Sequence, residues 1–303
     1  MSARGVSMLC ALAAFWGCQS RPASSRPAGK VQAAASIFPL ADVVRQIGGA
    51  GVEVTCLMEP GRSPHDYQVK PAQVERLSRA RLLVVAGLGL DDWATEAARA
   101  AGAKSLTVLR SADHAEAFSR DEHAEGAGGH HHDQGDPHVW LDLTFMRGLA
   151  GEIARALAQA DPDGGPEYSR NHDAFVAELN KLDEEYRSTL GSLPNKHFVT
   201  FHAAFGHIAE RYGLEQMAIR GPDAGGLGTD RLERVAEFMK QHNVKAVFVE
   251  PQFPAEDLRA LAARTGARIG RLDPLGGPAI KGYDTYQAMM RSNLRAMAEA
   301  LKD

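Results

Sequence analysis

The sequence predicts an α/β fold with largely parallel strands, divided into two lobes that one long helix joins. Three observations support this prediction. Short apolar runs alternate with segments of helical periodicity, which is typical of layered α/β proteins. The 303 residues exceed what one hydrophobic core usually organises. Residues 167–190 form one continuous amphipathic pattern, which is long enough to connect two separate units.

The composition excludes several other classes of protein. Hydrophobic residues make up 44% and charged residues 24% of the chain, close to the average for soluble globular proteins. The formal net charge is −4, so no basic surplus indicates a nucleic-acid surface, and we expect no nucleic-acid partner. The chain has only 3 cysteines, which excludes both a disulfide scaffold and a four-cysteine zinc site.

The N-terminus predicts export from the cytoplasm. Arg4 precedes an apolar run at 6–16, and this pattern is typical of a secretory signal peptide, here residues 1–17. The run is too short to cross a bilayer, which takes about 20 apolar residues. We therefore expect an exported protein that is cleaved near residue 17.

The residues around the expected cleavage site also indicate a lipid anchor. Gly17 followed by Cys18 resembles the end of a bacterial lipobox, in which the cysteine is lipidated. Phe15 and Trp16 depart from that pattern, so plain export and a misplaced start codon remain as alternatives. Residues 18–30, rich in Ser, Pro and Arg, are expected to form a flexible tether, which leaves the protein periplasmic or membrane-anchored and facing outward.

Each predicted lobe takes its strands from short apolar runs and its helices from periodic segments. In the N-terminal lobe, residues 31–165, strands are expected at 31–36, 52–57, 81–86 and 105–109, with helices at 71–78 and 93–101. In the C-terminal lobe, residues 192–303, strands are expected at 197–202, 245–250 and 267–272, with helices at 229–242, 255–265 and 283–302. Strands that alternate with helices indicate parallel pairing.

The linking helix, residues 166–191, is predicted from spacing alone. Apolar or aromatic residues recur at gaps of three or four, at Tyr168, His172, Phe175, Leu179, Leu182, Tyr186 and Leu190. Glycine and proline precede the pattern and Gly191 follows it, as expected at helix ends. A helix of about 24 residues is ~36 Å long, so we predict a rigid connection between the lobes.

Four candidate ligands stand where predicted strands end or where a loop closes. His65 lies in a turn after the second predicted strand, and His138 closes a histidine-rich loop. His202 ends the fifth predicted strand and Asp273 follows the seventh. Ligands bind at such strand ends in open α/β sheets, and a His₃ or His₃Asp set would suit a tetrahedral Zn²⁺ site between two lobes. Taken alone, a histidine at a strand end is more often a hydrogen-bonded structural residue, and an aspartate before proline more often forms a turn.

The loop at 111–135 contains five histidines and six acidic residues and almost nothing apolar, so it cannot bury a core. A set of possible weak secondary metal ligands lies within it: His123, His130, His131 and His132. Two interpretations remain open. The loop collects metal near the main site by weak, exchangeable binding, or it is a solvated segment that binds metal only because polyhistidine does.

Several segments, taken in order along the chain, resemble the solute-binding proteins that supply zinc or manganese to bacterial ABC importers. The segments that carry the resemblance are 60–67, 86–93, 136–142, 202–205, 209–214, 248–250 and 272–276. The resemblance is strongest to the zinc-uptake receptors and covers nearly the whole mature chain. It implies two Rossmann-like lobes joined by a long helix, with the metal at the lobe interface.

The resemblance also implies a ligand set and partners. His65, His138, His202 and Asp273 match the metal-ligand positions of the family. The implied partners are a membrane ABC permease and its cytoplasmic ATPase, with the receptor itself expected to be a monomer. Three features depart from the pattern of the family. Pro64 stands where some zinc receptors have an acidic residue, the second half lacks a disulfide, and a histidine stands at 207. The fourth ligand is therefore left open between Asp273, a water and a loop group.

Zinc is the expected ligand because three imidazoles favour Zn²⁺ over Mn²⁺, which prefers carboxylates and higher coordination. A manganese or iron receptor of the same family is the alternative. Asp142, Glu250 and Arg271 are candidates for orienting the histidines. The remaining cysteine of the mature chain, Cys56, is expected to be an unpaired, buried small residue.

Two further classes of function are alternatives to a transport receptor. A metal-dependent hydrolase would need a general base, for which Glu250 or Asp66 would serve, but the chain has no His-Glu-x-x-His motif. A metal-binding adhesin without a transporter partner is the third class. A closed set of four ligands favours binding over catalysis, because a catalytic zinc keeps one position open. We therefore expect no enzymatic activity.

Overall fold

The structure, a computed structural model, describes residues 29–114, 135–221 and 229–302. These residues contain eight strands and nine α-helices. The N-terminal part has β1 (Val31–Ala35), α1 (Phe38–Gly48), β2 (Val52–Cys56), α2 (Pro71–Leu77), β3 (Leu82–Val85), α3 (Asp92–Ala100) and β4 (Thr107–Arg110). Next come α4 (Leu143–Ala160) and α5 (Gly165–Gly191). The C-terminal part has β5 (His197–His202), α6 (Gly206–Tyr212), β6 (Glu215–Arg220), α7 (Thr229–Gln241), β7 (Ala246–Val249), α8 (Glu256–Thr265), β8 (Arg268–Arg271) and α9 (Tyr286–Leu301).

Two four-stranded parallel sheets form the lobes, and they share one topology. The strand order is β2-β1-β3-β4 in the first sheet and β6-β5-β7-β8 in the second, with every pair parallel. In both sheets the chain leaves the first strand to one side and later returns to its other side. Ligands bind at the carboxyl ends of strands near such a switch point, so each lobe offers one binding edge. The predicted α/β fold with two parallel-sheet lobes is confirmed.

The central strands are buried on both faces, as parallel sheets covered by helices require. Every residue of β3 is buried, and so are the three alanines of β1. All seven predicted strands are present, with ends that differ by no more than two residues. No element was predicted at β6 or at α1, α4 and α6. Nine of the 11 residues of α1 are buried.

The long helix α5 has 27 residues and follows the predicted spacing. Its buried positions include Tyr168, Phe175, Leu179, Leu182 and Tyr186, whereas the predicted contributor at 172 is only half-buried. The helix packs against α4 and α1 on one side and against α9 on the other. These contacts connect both lobes to one core.

Hydrogen bonds fix the long helix to both halves of the molecule. Asn171 Nδ2 donates to the carbonyl of Ile47 at the end of α1, over 2.9 Å. The Tyr186 hydroxyl donates to the carbonyl of Met290 in α9, over 2.7 Å. The hydrophobic cluster around the helix contains residues of both sheets, from Val31 to Phe248. The predicted rigid helical connection is therefore present.

Three predicted segments lie partly or wholly outside the described residues. They are the signal peptide at 1–17, nearly all of the tether at 18–30, and most of the loop at 111–135. Among the described helices, none combines the length and the apolar character needed to cross a bilayer. Cys56 is unpaired and half-buried at the end of β2, as expected of a small packed residue.

Candidate metal centre

His65 is presented by a short 3₁₀ turn, Pro64–Asp66, that follows β2. The turn begins where Ser63 Oγ accepts the backbone N–H of His65, over 3.3 Å. On its other side, the Trp93 indole N–H donates to the Pro64 carbonyl, over 2.9 Å. These bonds from outside the turn hold the histidine at the carboxyl end of the first sheet.

His138 lies between the end of the histidine-rich loop and α4. Asp136 holds it twice, because Oδ1 accepts the backbone N–H over 3.0 Å and lies 2.7 Å from the ring Nδ1. The following segment is anchored across the lobe interface, where the Trp140 indole N–H donates to the Pro274 carbonyl over 2.7 Å. His138 itself is only 1% exposed.

His202 is the last residue of β5 and lies at the carboxyl edge of the second sheet. Glu250, just after β7, holds it in the same way that Asp136 holds His138. One carboxylate oxygen of Glu250 accepts the backbone N–H of His202 over 3.1 Å, and the other lies 2.6 Å from the ring Nδ1. Glu250 is buried, so this contact is screened from solvent.

The three imidazoles converge at the lobe interface. Their ring centroids are 5.0–5.7 Å apart, and one ring nitrogen from each lies within 4.8 Å of the others. The Nε2 atoms of His138 and His202 are 3.3 Å apart. A small cavity of about 10 Å³ is lined by all three rings, which is roughly the space of one water-sized sphere.

The chemistry of this donor set suits a divalent cation. Asp136 is hydrogen-bonded to Nδ1 of His138, and a carboxylate oxygen of Glu250 lies 2.6 Å from Nδ1 of His202, so Nε2 is the nitrogen of each ring that remains for a metal. The two Nε2 atoms are 3.3 Å apart, so their lone pairs repel each other. A cation bound between them attracts both lone pairs and removes this repulsion. Neutral imidazole nitrogen is a common ligand for zinc.

The electrostatics favour the form of His138 that binds a metal. Burial lowers the pKa of His138 below its ordinary value of 6.5, against the opposing effect of the Asp136 carboxylate. Burial by itself raises the pKa of Asp136, but the hydrogen bonds and charge of His138, with a further contribution from His207, leave it below 3.8. At neutral pH the pair is therefore a neutral imidazole held by a charged carboxylate.

Asp273 is buried next to this centre, but it does not belong to the cluster of three histidines. Its Oδ1 accepts three N–H groups, from Gln252 over 2.9 Å, Leu275 over 3.1 Å and Gly276 over 3.0 Å. Gln252 also lines the histidine cavity, so one side chain contacts both the cavity and this carboxylate. Asp273 Oδ2 is buried and accepts no hydrogen bond from the residues that the structure describes, and it lies 3.7 Å from Arg271.

The loop that carries Asp273 is tightly fixed. Asn293 of α9 accepts the backbone N–H of Asp273 and donates to its carbonyl, over 2.9 and 2.8 Å. Gly276 has a φ of +63°, and a Cβ there would lie 2.6 Å from the Tyr283 carbonyl oxygen. Only glycine fits that position without displacing the backbone.

The three residues proposed to orient histidines have different roles. Glu250 contacts His202 as predicted. Asp142 has the other role left open by the sequence, ordinary ion pairing, because it caps α4 and its carboxylate lies 2.8 Å from Arg211, with no histidine contact among the described residues. Arg271 lies nearer to Asp273 than to the histidines and packs over the Tyr283 ring.

Sequence reasoning missed the role of Asp136. The signal was present, because an aspartate two residues before a histidine can accept that residue's backbone N–H and contact its ring. Among the other predicted site residues, Cys18, His123, His130, His131 and His132 lie outside the described residues.

The two candidate bases of the hydrolase alternative are poorly placed for that role. Glu250 is buried and committed to the backbone and ring of His202. Asp66 is exposed on the turn that carries His65. A general base for a metal-bound water must lie within hydrogen-bond reach of that water, next to the metal.

Comparisons with known proteins identify the family of this chain. The model of the family ZnuA, zinc-uptake complex component A, periplasmic, matches residues 34–300. The zinc-binding protein AdcA of Streptococcus pyogenes serotype M3 is 26% identical over 287 residues, which cover 89% of this chain and 56% of that protein. The chain thus spans about half the length of such relatives.

Solved structures match over nearly the full length of both chains. A zinc-bound deletion mutant of ZnuA has a TM-score of 0.78 and 31% identity, covering 90% of this chain and 99% of that one. The periplasmic zinc binding protein TroA from Treponema pallidum has a TM-score of 0.80 and 27% identity, covering 91% and 100%. Since the family model extends over most of the sequence, from β1 to α9, the chain belongs to the ZnuA family of periplasmic zinc-uptake components.

Proposed function

We propose that this protein is the extracytoplasmic solute-binding component of a zinc ABC importer. It captures Zn²⁺ and delivers it to a membrane permease that a cytoplasmic ATPase drives, and it acts as a monomer. The observation that carries the proposal is the convergence of three imidazoles, two of them held through Nδ1 by buried carboxylates. Membership of the ZnuA family supports the transport role.

The proposed ligands are His65, His138 and His202, each through one ring nitrogen, with Asp273 as the fourth. Asp273 supplies Oδ2, since Oδ1 already accepts three N–H groups. Its carboxylate lies outside the histidine cluster, so metal capture draws it inward past Gln252. A carboxylate that offers a single oxygen gives a four-coordinate site, which suits Zn²⁺ better than Mn²⁺.

The proposed activity is binding and release, without catalysis. Four protein ligands close the coordination sphere, whereas a catalytic zinc keeps a position for water or substrate. Most of the surrounding cavity is apolar, with Pro64, Trp140, Phe253, Pro274 and Leu275 around the rings. A dry, closed site of this kind holds an ion and offers no room for a second reactant.

The proposed location is outside the cytoplasmic membrane. The signal peptide at 1–17 directs export, and Cys18 carries a lipid anchor that leaves the protein facing the periplasm or the exterior. The loop histidines His123, His130, His131 and His132 bind metal weakly and exchangeably. They collect ions near the tight site and do not form part of it.

The experiment is a competitive titration of the untagged mature chain with Zn²⁺ and Mn²⁺ against a chelating indicator. We expect one tight Zn²⁺ per chain that excess Mn²⁺ does not displace. The variants His65→Ala, His138→Ala and His202→Ala should each lose more affinity than the roughly 10–100-fold that removal of an outer carboxylate costs. Asp273→Asn tests the fourth ligand in the same assay.

The matched control is His172→Ala, which removes a histidine on the long helix whose Nδ1 lies 3.0 Å from Asp173 and which does not belong to the cluster of three. It should bind zinc as the unchanged protein does. Tight zinc binding that survives the three cluster substitutions would overturn the proposed site. Displacement of Zn²⁺ by Mn²⁺ would keep the receptor function and overturn the proposed metal.

A further inference from the structure

A second cavity lies close to the metal centre and is much larger. Its volume is about 360 Å³, compared with about 10 Å³ for the histidine cavity. Cavities of roughly 300–1,000 Å³ hold drug-sized organic ligands. Leu275 lines both cavities, so the two are neighbours, but no histidine lines the larger one.

The larger cavity is built by both lobes. Its floor and walls come from the end of β2 and the turn that follows, through Cys56, Leu57 and Met58, with α1 and α2 on either side. The loop that follows Asp273 closes it, through Gly276 and Pro278. A molecule in this space therefore contacts the loop between β2 and His65 and the loop that carries Asp273.

The charged side chains around the cavity are mostly cations. Arg45, Lys70 and Arg76 line it, against the single carboxylate of Glu59. Lys70 and Glu59 form an ion pair, so they neutralise each other. Neither Arg45 nor Arg76 forms an ion pair or a side-chain hydrogen bond with a described residue, and Arg45 is half-buried. Two guanidinium groups thus remain available to an anion.

The rest of the lining is apolar except for Gln73, whose side-chain amide already bonds to Lys70, Leu57 and Tyr67. Phe38, Leu57, Met58, Pro60, Leu275 and Pro278 supply most of the wall. The Cys56 thiol donates to the Met58 carbonyl over 3.3 Å, and burial raises its pKa to about 11, so it stays neutral. The cavity therefore combines an apolar wall with an excess of positive charge.

We propose that this cavity binds an organic anion, a molecule with an apolar body of one or two rings that carries a single acidic group. Arg45 and Arg76 pair with the acidic group, and the wall formed by Phe38 and Met58 packs against the body. The inference goes beyond zinc capture and is independent of the metal ligands.

Two fluorescent probes of matched shape test the proposal on the full mature chain. One is 8-anilinonaphthalene-1-sulfonate, which carries an acidic group, and the other is N-phenyl-1-naphthylamine, which has the same rings without it. We expect the sulfonate to bind saturably, one per chain, and the neutral probe to bind at least about tenfold more weakly, since charge-assisted hydrogen bonds exceed neutral ones.

Substitutions then locate the binding site. Arg45→Gln with Arg76→Gln should weaken the sulfonate about tenfold or more and leave the neutral probe unchanged. Arg79→Gln is the matched control, because Arg79 follows α2, pairs with Glu75 and does not line the cavity. Ala72→Trp fills the cavity without changing its charge and should weaken both probes.

Several results would overturn the proposal. They are equal affinity for the two probes, unchanged sulfonate binding in both the double arginine variant and Ala72→Trp, and binding of many probe molecules per chain. Zinc affinity is measured on the same samples by competitive titration. Loss of the zinc site with retained arginine-dependent probe binding would contradict the proposed transport function alone, so the two failures are distinguishable.

Discussion

At the scale of single residues, two carboxylates control which nitrogen of each imidazole faces the metal site. Asp136 contacts Nδ1 of His138, and Glu250 contacts Nδ1 of His202. Each carboxylate also accepts the backbone N–H of its histidine, so ring and main chain are fixed together. The two Nε2 atoms are thereby aimed at one point before any metal arrives, which lowers the ordering cost of binding.

The first prediction concerns these carboxylates. Asp136→Asn or Glu250→Gln should lower zinc affinity roughly 10–100-fold, because the ring loses its charged partner and its fixed tautomer. The matched control is Glu215→Gln, which removes a carboxylate 3.2 Å from Nε2 of His197, a histidine outside the cluster. Indicator competition measures all three. Equal affinity in the three variants would show that the carboxylates do not position the histidines.

The second prediction concerns pH. Burial lowers the pKa of His138 in the folded state below 6.5, so in acid the unfolded chain binds a proton that the folded chain does not. The zinc-free protein should therefore lose stability as the pH falls from about 6.5 towards the lowered pKa of His138. The depressed pKa of Asp136 acts only below its ordinary value of 3.8, outside this range.

Zinc affinity should fall over the same range, because protons compete with the metal for imidazole nitrogens. Titrations between about pH 7.5 and 5.5 measure the affinity, and urea unfolding of the zinc-free protein measures its stability. In His138→Ala the dependence of stability on pH should be shallower. Zinc affinity that stays constant across this range would contradict a site built on histidines.

At the scale of elements, the long helix α5 determines how the two sheets are held. Its buried face packs on α1 and α4 from one half of the chain and on α9 from the other. Tyr212 of α6 adds a further bond, donating over 2.7 Å to Asp183 on the helix. A helix that shares one core with both lobes resists bending, so we expect the lobes to move little relative to each other.

The third prediction tests that shared core. Leu182 is fully buried on α5, and Leu182→Ala should lower the free energy of unfolding by about 2–5 kcal/mol. Because the helix packs on both lobes, the whole chain should unfold in a single, earlier urea transition. Lys181→Ala, one residue away on the exposed face, should change stability by less than about 1 kcal/mol. Two separate transitions in Leu182→Ala would contradict a shared core.

At the scale of the whole molecule, the metal centre joins parts of the chain that are far apart in sequence. His65 and His138 come from before the long helix, and His202 comes from after it. Trp140 and Tyr286 connect the same two parts, since the Tyr286 hydroxyl donates to the Trp140 carbonyl over 2.7 Å. A metal ion bound by the three histidines would therefore stabilise the interface between the lobes.

The fourth prediction is that zinc stabilises the fold as a whole. With free zinc at 100 times the dissociation constant, the free energy of unfolding should rise by about 2.7 kcal/mol. The triple variant His65→Ala, His138→Ala, His202→Ala should show no such increase. Thermal unfolding with and without zinc measures the difference. An equal zinc effect in the triple variant would place the stabilising site elsewhere.

The fifth prediction separates the loop from the tight site. Deletion of residues 115–133 should remove weak, exchangeable zinc binding and leave the tight site unchanged, because the three histidines of the cluster lie outside the deleted segment. Equilibrium dialysis over a wide range of zinc concentration measures both classes of site. Loss of the tight site in the deletion variant would show that the loop contributes a ligand.

The sequence by itself determined the architecture and three members of the site. Strand and helix periods depend on neighbours within a few residues, so the seven predicted strands and the long helix could be read directly. His65 and His202 could be found because parallel strands bring their carboxyl ends to one edge, and His138 because it closes the histidine-rich loop in a segment that resembles the family. The elements that were missed include α1, of 11 residues, and β6, of 6 residues, and segments this short give few repeats of a period by which to recognise them.

Only the tertiary structure decided the contacts between distant residues. Glu250 lies 48 residues from His202 in the sequence, yet the two are in contact. Gln252 contacts Asp273 because β7 and β8 pair side by side in the second sheet. The arginine-lined cavity likewise needs α1, α2 and a loop from the other lobe together. Local patterns carry no record of such packing, because it is the sum of many weak contacts spread over the whole chain.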